Sequence, residues 1–387
     1  MKRKSFMVLL AAMTMAAMLA GCANSGASAD STAAKTDSAA EDTAAEEADT
    51  SADAASDSEE PLKVALLLTG NLGDMSFLDS SNEGMKTVTQ TQNVTCQVIE
   101  MGNDASKYEG NFLDASDEGY DIIIGSGWQS QEPIQNVAPD YPDTKYIIFD
   151  AAVDYENGDY SNVYSINYKQ NEASFLAGVM AGEMTETNVL GFLGGMQGSV
   201  IDDFMLGYIQ GAQYVNPDIK VLTGYVNSYS DSATCKEMSL ADFNQGNADF
   251  VFTAAGASGI GTLDAAKETG KWAIGVDSDQ AMLYKDSDPE KAEHVPASVM
   301  KRVDNSLVRA FQMIEDGTLP WGQEETLGLA DGAVGLSENE YYEKLVPEEV
   351  RNDIQDAADK IISGEITVDT AFGKTNDEIA AIVSKVQ

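Results

Sequence analysis

The sequence predicts an α/β protein built from two doubly wound, parallel-sheet lobes, and three observations carry that prediction. From Leu62 onward, apolar runs of β type alternate with amphipathic helical stretches, the pattern of strands joined by crossover helices. Several runs, such as Ile122-Ile123-Ile124, are apolar without alternation, as strands covered on both faces require. The stretch from Pro61 to Gln387 is too long for one such sheet, shows no eightfold regularity, and suffices for two lobes of ordinary domain size.

Taken from its start, the chain opens with a leader. Lys2, Arg3 and Lys4 precede an apolar run from Phe6 to Leu19, which has the length of a signal-peptide h-region and is too short for a membrane-spanning helix. The run ends in Leu19-Ala20-Gly21-Cys22, which resembles a bacterial lipobox. Residues 1–21 are then a lipoprotein signal peptide and Cys22 the lipidated first residue of the mature chain. An ordinary cleaved leader with an incidental cysteine is the plainer alternative. Residues 22–60 follow as a tether, almost wholly Ala, Ser, Thr, Asp, Glu and Gly beyond Cys22, with Lys35 as the single cation. Such a segment buries too little apolar surface to offset the entropy of ordering it, and its like charges extend it. An acidic docking tail is the other reading. No later stretch has eighteen consecutive apolar residues, so only lipid is expected to hold the chain at the membrane, on its extracytoplasmic face.

Strands are expected at Lys63–Leu68, Val94–Ile99, Asp121–Gly125, Lys145–Phe149, Val163–Ile166, Val189–Leu193, Lys220–Tyr225, Phe250–Phe252 and Trp272–Val276. Helical patterns lie between them at Leu78–Gln90, Asn171–Met184, Val200–Val215, Thr234–Asn244 and Gly259–Glu268, with a further helix at Pro347–Ser363. The formal net charge of −41 argues against nucleic-acid or anionic-membrane partners, which need a basic surface, and against a highly anionic ligand. Cys96 and Cys235 read as buried thiols, with pairing as the alternative, and no cysteine cluster points to zinc. His294 is the only histidine, so any Ser-His-Asp site would have to use it. Gly256–Gly261 and Gly191–Gly198 only faintly resemble dinucleotide loops, and no phosphate loop is present; neither cofactor nor ATP hydrolysis is expected of this chain.

In open α/β sheets a ligand sits beyond the carboxyl ends of the strands, so the residues that follow each strand form the candidate site. They are Gly73–Phe77, Gly125–Trp128, Asp150, Gly194–Met196 with Phe204 in the next helix, Ala254–Gly256, Asp277–Gln280, and Lys301-Arg302 after the short run Ala297–Met300. Aromatics, carboxylates and glycines recur where a cleft would open.

The segments Gly73–Phe77, Ser174–Gly178, Gly191–Met196, Ala265–Glu268 and Trp272–Gln280, in order between about Leu62 and Leu336, resemble the basic membrane protein family. The resemblance implies a type I periplasmic-binding-protein fold with a hinge, no enzymatic activity, and a purine-nucleoside receptor of an ABC importer. A permease and its ATPase would be separate partners. It also implies three crossings between lobes, placed near Asn167, Val299 and Glu325. Lobe 1 would hold residues 61–167 plus about 300–325, and lobe 2 residues 168–299 plus about 326–387.

A nucleoside calls for aromatic side chains against its ring faces and carboxylates for its buried hydroxyls. On that reading Phe77 and Phe204 stack on the base, one from each lobe, and Trp128 is a third wall. Asp277 takes the sugar hydroxyls and Lys301 shares them. Asp74 and Asp150 face the base edge or the ribose, Ser76 lies among them, and Gly256 admits close backbone approach. Each has a plainer reading: the aromatics as core, Asp277 as a turn former, Lys301 as a solvated cation, Asp74 and Asp150 as helix caps. Where the family commonly has Asp-x-Ser-Phe-Asn, this chain has Asp74-Met75-Ser76-Phe77-Leu78, so the Asn contact is lost or comes from Asp79. Trp128 stands where Phe is usual. Adenosine, inosine, guanosine, a flavin and a sugar all remain open as ligands. The rival classes are an exported nucleoside- or sugar-processing enzyme with Asp74 or Asp277 as base, and a pure signalling receptor.

Overall fold

Twelve strands form two six-stranded sheets in the computed structural model, which describes residues 60–387. The leader, Cys22 and the tether lie outside the described residues. The strands are β1 (Leu62–Leu68), β2 (Val94–Glu100), β3 (Ile122–Ser126), β4 (Lys145–Phe149), β5 (Val163–Tyr168), β6 (Val189–Gly194), β7 (Lys220–Tyr225), β8 (Phe250–Ala254), β9 (Trp272–Asp277), β10 (Ser298–Lys301), β11 (Gln323–Leu327) and β12 (Val334–Leu336). The first sheet runs β11-β5-β4-β3-β1-β2 and the second β12-β10-β9-β8-β6-β7. Every pairing is parallel except that of β12 with β10.

The nine strands expected from sequence are all present, with ends shifted by two residues at most. Their central members are buried on both faces, as β1 and β3 illustrate: Val64 to Leu68 and Ile122 to Ser126 are all buried. That double burial explains the continuous apolar runs. β11 gave no such signal because it is a polar edge strand, Gln-Glu-Glu-Thr-Leu, exposed along most of its length. β12 is too short to carry a pattern.

The chain passes from the first sheet to the second after Tyr168, returns after Lys301, and crosses again after Leu327. The changeovers read near Val299 and Glu325 therefore come two residues later. β10 pairs with β9 through Met300↔Asp277, and β11 follows β5 through Leu327↔Tyr168. Backbone pairing, not the polarity of Lys301 or Thr326, decides where these strands end. The helix Val303–Glu315 returns to pack on Phe77–Thr91, and the helix Glu348–Ile362 packs on Gln170–Met184; a last helix, Asn376–Val383, follows it.

Cys96 in β2 and Cys235 in the helix Ser232–Asn244 are free thiols, and burial pushes the Cys96 thiol up to about 11. Among the described residues no helix is long and apolar enough to cross a membrane.

Candidate functional site

The carboxyl ends of the two sheets face each other across a cavity of about 280 Å³. Its walls are the loops that leave β1 to β4 on one side and β6 to β9 on the other, with Lys301 at the end of β10. Asp150 follows β4 and Asp277 ends β9, both at φ 63°, the left-handed region that a non-glycine residue adopts only at a cost. Asp tolerates it better than most because of its short polar side chain. The turn throws both carboxylates off the sheet ends into the cavity. Gly256, at φ 54° after β8, brings its bare backbone to the same rim.

Lys301 is the centre of the charge arrangement. Its side chain is 2% exposed, and its Nζ lies 2.6 Å from Asp150 Oδ1. The same Nζ stands 4.7 Å from the Phe204 ring centre and 5.6 Å from those of Phe77 and Tyr168, so aromatic faces replace much of its lost hydration. Asp277 accepts from the Ser76 hydroxyl at 2.7 Å. Burial pushes its carboxyl up to about 6, against the opposing pull of Lys301. Asp150 is raised for the same reason, with Lys301 again opposing.

All but one of the sequence-predicted ligand residues line this cavity: Asp74, Phe77, Trp128, Asp150, Phe204, Gly256, Asp277 and Lys301. Ser76 lies outside the lining; it stands behind Asp277 and positions that carboxylate. The plainer reading of Asp74 describes its bonds, because it accepts from the N–H groups of Ser76, Leu78 and Asp79 at 2.9–3.1 Å and caps the helix Phe77–Thr91. Asp79 accepts from Gly73 and Met75 N–H, away from the cavity, and the Leu78 side of that helix lines it instead. Sequence reasoning missed Tyr229, in the loop after β7, and the amides Asn71, Asn103 and Gln129. All four sit near strand carboxyl ends, so the rule that found the others would have reached them. The candidate segments stop just short of Asn71 and Gln129, at Gly73 and Trp128, and include nothing from the loops after β2 and β7 that carry Asn103 and Tyr229.

The model of the family described as ABC transporter substrate-binding protein, PnrA-like, matches residues 62–371. The chain belongs to this family. The ABC transporter nucleoside-binding protein BmpA of Lactococcus lactis subsp. cremoris is 32% identical over 382 residues, covering 95% of this chain and 99% of the relative. Basic membrane protein A of Borreliella burgdorferi is 31% identical over 82% of this chain and 90% of its own length. Among solved structures, an ABC transporter solute-binding protein from Aeropyrum pernix K1 matches with a TM-score of 0.73 and 26% identity, over 84% of this chain and 97% of that one. The fold is thus that of the periplasmic binding proteins. Members of this PnrA-like family serve ABC transporters on the extracytoplasmic side as substrate-binding proteins, not as enzymes.

His294, the only base available to a Ser-His-Asp arrangement, holds the Lys271 carbonyl at 2.9 Å beside the start of β9, the opposite end from Asp277. Among the described residues no cluster of three or more His, Cys, Asp or Glu side chains is placed to hold a metal.

Proposed function

We propose that this chain is the lipid-anchored receptor of an ABC importer and that it captures a nucleoside, purine nucleosides first, between its two sheets. The observation that carries the reading is the convergence of Phe77 and Phe204, from opposite walls, on a cavity that also holds Asp277 and Lys301. Two aromatic side chains offer faces to a flat base, while a buried carboxylate and its neighbouring cation accept and orient sugar hydroxyls. The cavity's 280 Å³ is near the lower end of the roughly 300–1,000 Å³ usual for small-molecule sites, which favours a nucleoside over a flavin. Lys301 is the single cation of the lining and is engaged by Asp150, so a phosphorylated ligand finds no free positive group. The name of the Lactococcus relative supports the same ligand class. The three changeovers, after Tyr168, Lys301 and Leu327, act as the hinge on which two lobes close.

Thermal-shift screening of the purified protein against nucleosides, free bases, ribose, flavins and sugars tests this. A purine nucleoside at about a hundred times its dissociation constant should add roughly 2.7 kcal/mol of stability, while free base and ribose add little. A shift with a flavin or sugar alone would remove the nucleoside. The anchor has its own test: mass spectrometry of the membrane-extracted protein should find an acylated N-terminal peptide beginning at Cys22 that Cys22→Ser lacks, and a wild-type peptide without acyl mass has no lipid on Cys22.

A further inference from the structure

The ligand cavity has a larger neighbour. A groove of about 940 Å³ runs past β5, β11 and the segment 361–372, and it shares Trp128, Asp150, Val200, Ile201 and Tyr229 with the smaller cavity. Those five residues are the partition between the two spaces. The two largest come from opposite walls of the cleft, Trp128 after β3 and Tyr229 after β7.

Tyr229 is fixed from behind. A Cβ placed at Gly195 would fall 2.3 Å from Tyr229 Cε1, so its ring lies flat on bare backbone, and the Tyr229 carbonyl accepts from Ser258 N–H at 3.1 Å. Burial pushes its phenol up to about 12, against the opposing pull of the Trp128 indole and the Met196 N–H. Trp128 is seated differently: it is 46% exposed, on a short turn after Gly127. One member of the partition is rigid and the other is a surface side chain closing against it.

We propose that Tyr229, with Trp128 opposite, sets the length of ligand that the cavity accepts. The pair closes 280 Å³ off from 940 Å³, so a nucleoside fits and one carrying a bulky uncharged extension meets an aromatic wall. Beyond the wall the groove offers Met196 and Phe372 together with Gln131, and Glu172, Asp203 and Glu324 against Lys169 make it acidic, so it would take an uncharged extension but not an anionic one once the wall is removed. This inference rests on the nucleoside reading above and adds a specificity-determining residue to it.

Calorimetric titration of the wild type, Tyr229→Ala, Tyr229→Phe and Trp128→Ala decides it. The probes are adenosine, N6-benzyladenosine and 5′-benzylthio-5′-deoxyadenosine, which carry the same bulk at opposite ends. The wild type should bind adenosine and hold each extended probe at least tenfold more weakly. Tyr229→Ala should cut that preference at least tenfold for one of the two. Trp128→Ala should act in the same direction by a smaller factor, and it remains a fair test if Tyr229→Ala fails to fold, because Trp128 lies at the surface. Tyr229→Phe keeps the ring and should keep the rejection. If the wild type binds adenosine and neither alanine variant changes the preference, or if extended probes bind the wild type as tightly as adenosine, the wall is overturned and the nucleoside reading stands. If the wild type binds none of the three, the nucleoside reading fails and this inference falls with it.

Discussion

The two sheets are laid out alike: β2-β1-β3-β4-β5-β11 matches β7-β6-β8-β9-β10-β12 position for position, with only the last strand reversed. Their cleft-facing devices also match. The helix after the second strand in each order brings Phe77 or Phe204, the loop after the third brings Gly127 or Gly256 at positive φ, and at the end of the fourth stands Asp150, one residue past β4, or Asp277, the last of β9, each at φ 63°. The loops after β2 and β7 meet across the cleft, where Asn103 donates to Ser230 at 3.4 Å. What differs is how each carboxylate is answered. Asp150 is paired by Lys301 of the second sheet, and Asp277 by the Ser76 hydroxyl from the first side. Each half therefore carries a buried group that it cannot satisfy alone. Like scaffolds position the site, and unlike partners across the cleft make its closed form tolerable in low dielectric.

Removing the central partner should break that arrangement most severely. Lys301→Met keeps the stem but leaves Asp150 without its cation and Asp277 without its nearest opposing charge. A loss of about 3–5 kcal/mol in urea unfolding at pH 7 is expected, with much of it restored by adding Asp150→Asn. A loss below about 1 kcal/mol would mean that the walls part and hydrate their charges in the free protein, and the mutual pairing would then play no part in stability.

The matched phenylalanines sharpen the comparison because their surroundings are not matched. Phe77 is half-buried beside Phe149, with ring centres 5.3 Å apart, whereas Phe204 is 2% exposed and meets Phe252 edge-on at 6.0 Å. Both alanine variants should lose about 1–3 kcal/mol of nucleoside binding with the lost face. Only Phe204→Ala should also cost about 3–5 kcal/mol of stability, as a cavity in the core. Equal stability losses would show that Phe77 is as much a core residue as its counterpart.

Much of this arrangement was legible in the sequence, and the parts that were not share a cause. Doubly buried strands write themselves as apolar runs, so Ile147-Ile148-Phe149-Asp150 and Ile274-Gly275-Val276-Asp277 announced both a strand and the carboxylate at its end. The correspondence between those two runs went unread because topology, not residue identity, is what the halves have in common. β11 was invisible because a polar edge strand has no burial pattern to display. Asp74 reads two ways from sequence, as ligand contact or helix cap, and the structure gives it both a place in the cavity lining and three N–H donors of the helix start. Tyr229 escaped because its position depends on Gly195 behind it and Trp128 across the cleft, contacts made by residues distant in sequence.

The smallest effect expected is also the one that reads Asp277 most directly. In the empty protein its carboxyl is raised to about 6 by burial, while Lys301 opposes that shift and Asp150 and Asp74 add to it. A sugar hydroxyl that donates to Asp277 favours the carboxylate, so the bound protein must titrate at a lower pH than the empty one. Affinity is then full above about pH 6 and falls as the pH drops through that value, approaching tenfold per unit, or about 1.4 kcal/mol, until the lower bound value is reached. Stability of the empty protein should run the other way. A carboxyl raised on folding holds its proton longer in the folded state, so its contribution weakens as pH rises from the ordinary carboxyl range through about 6. Titrations with adenosine between pH 5 and 8, repeated with Asp277→Asn, separate this group from Asp203, the other cleft-side carboxyl near 6, which is held by Thr370 and Ala371. A slope that survives in Asp277→Asn belongs to a different group and would take the sugar hydroxyls away from Asp277. A slope that disappears there, while the empty variant gains stability at pH 7, would show binding and folding drawing in opposite directions on one proton.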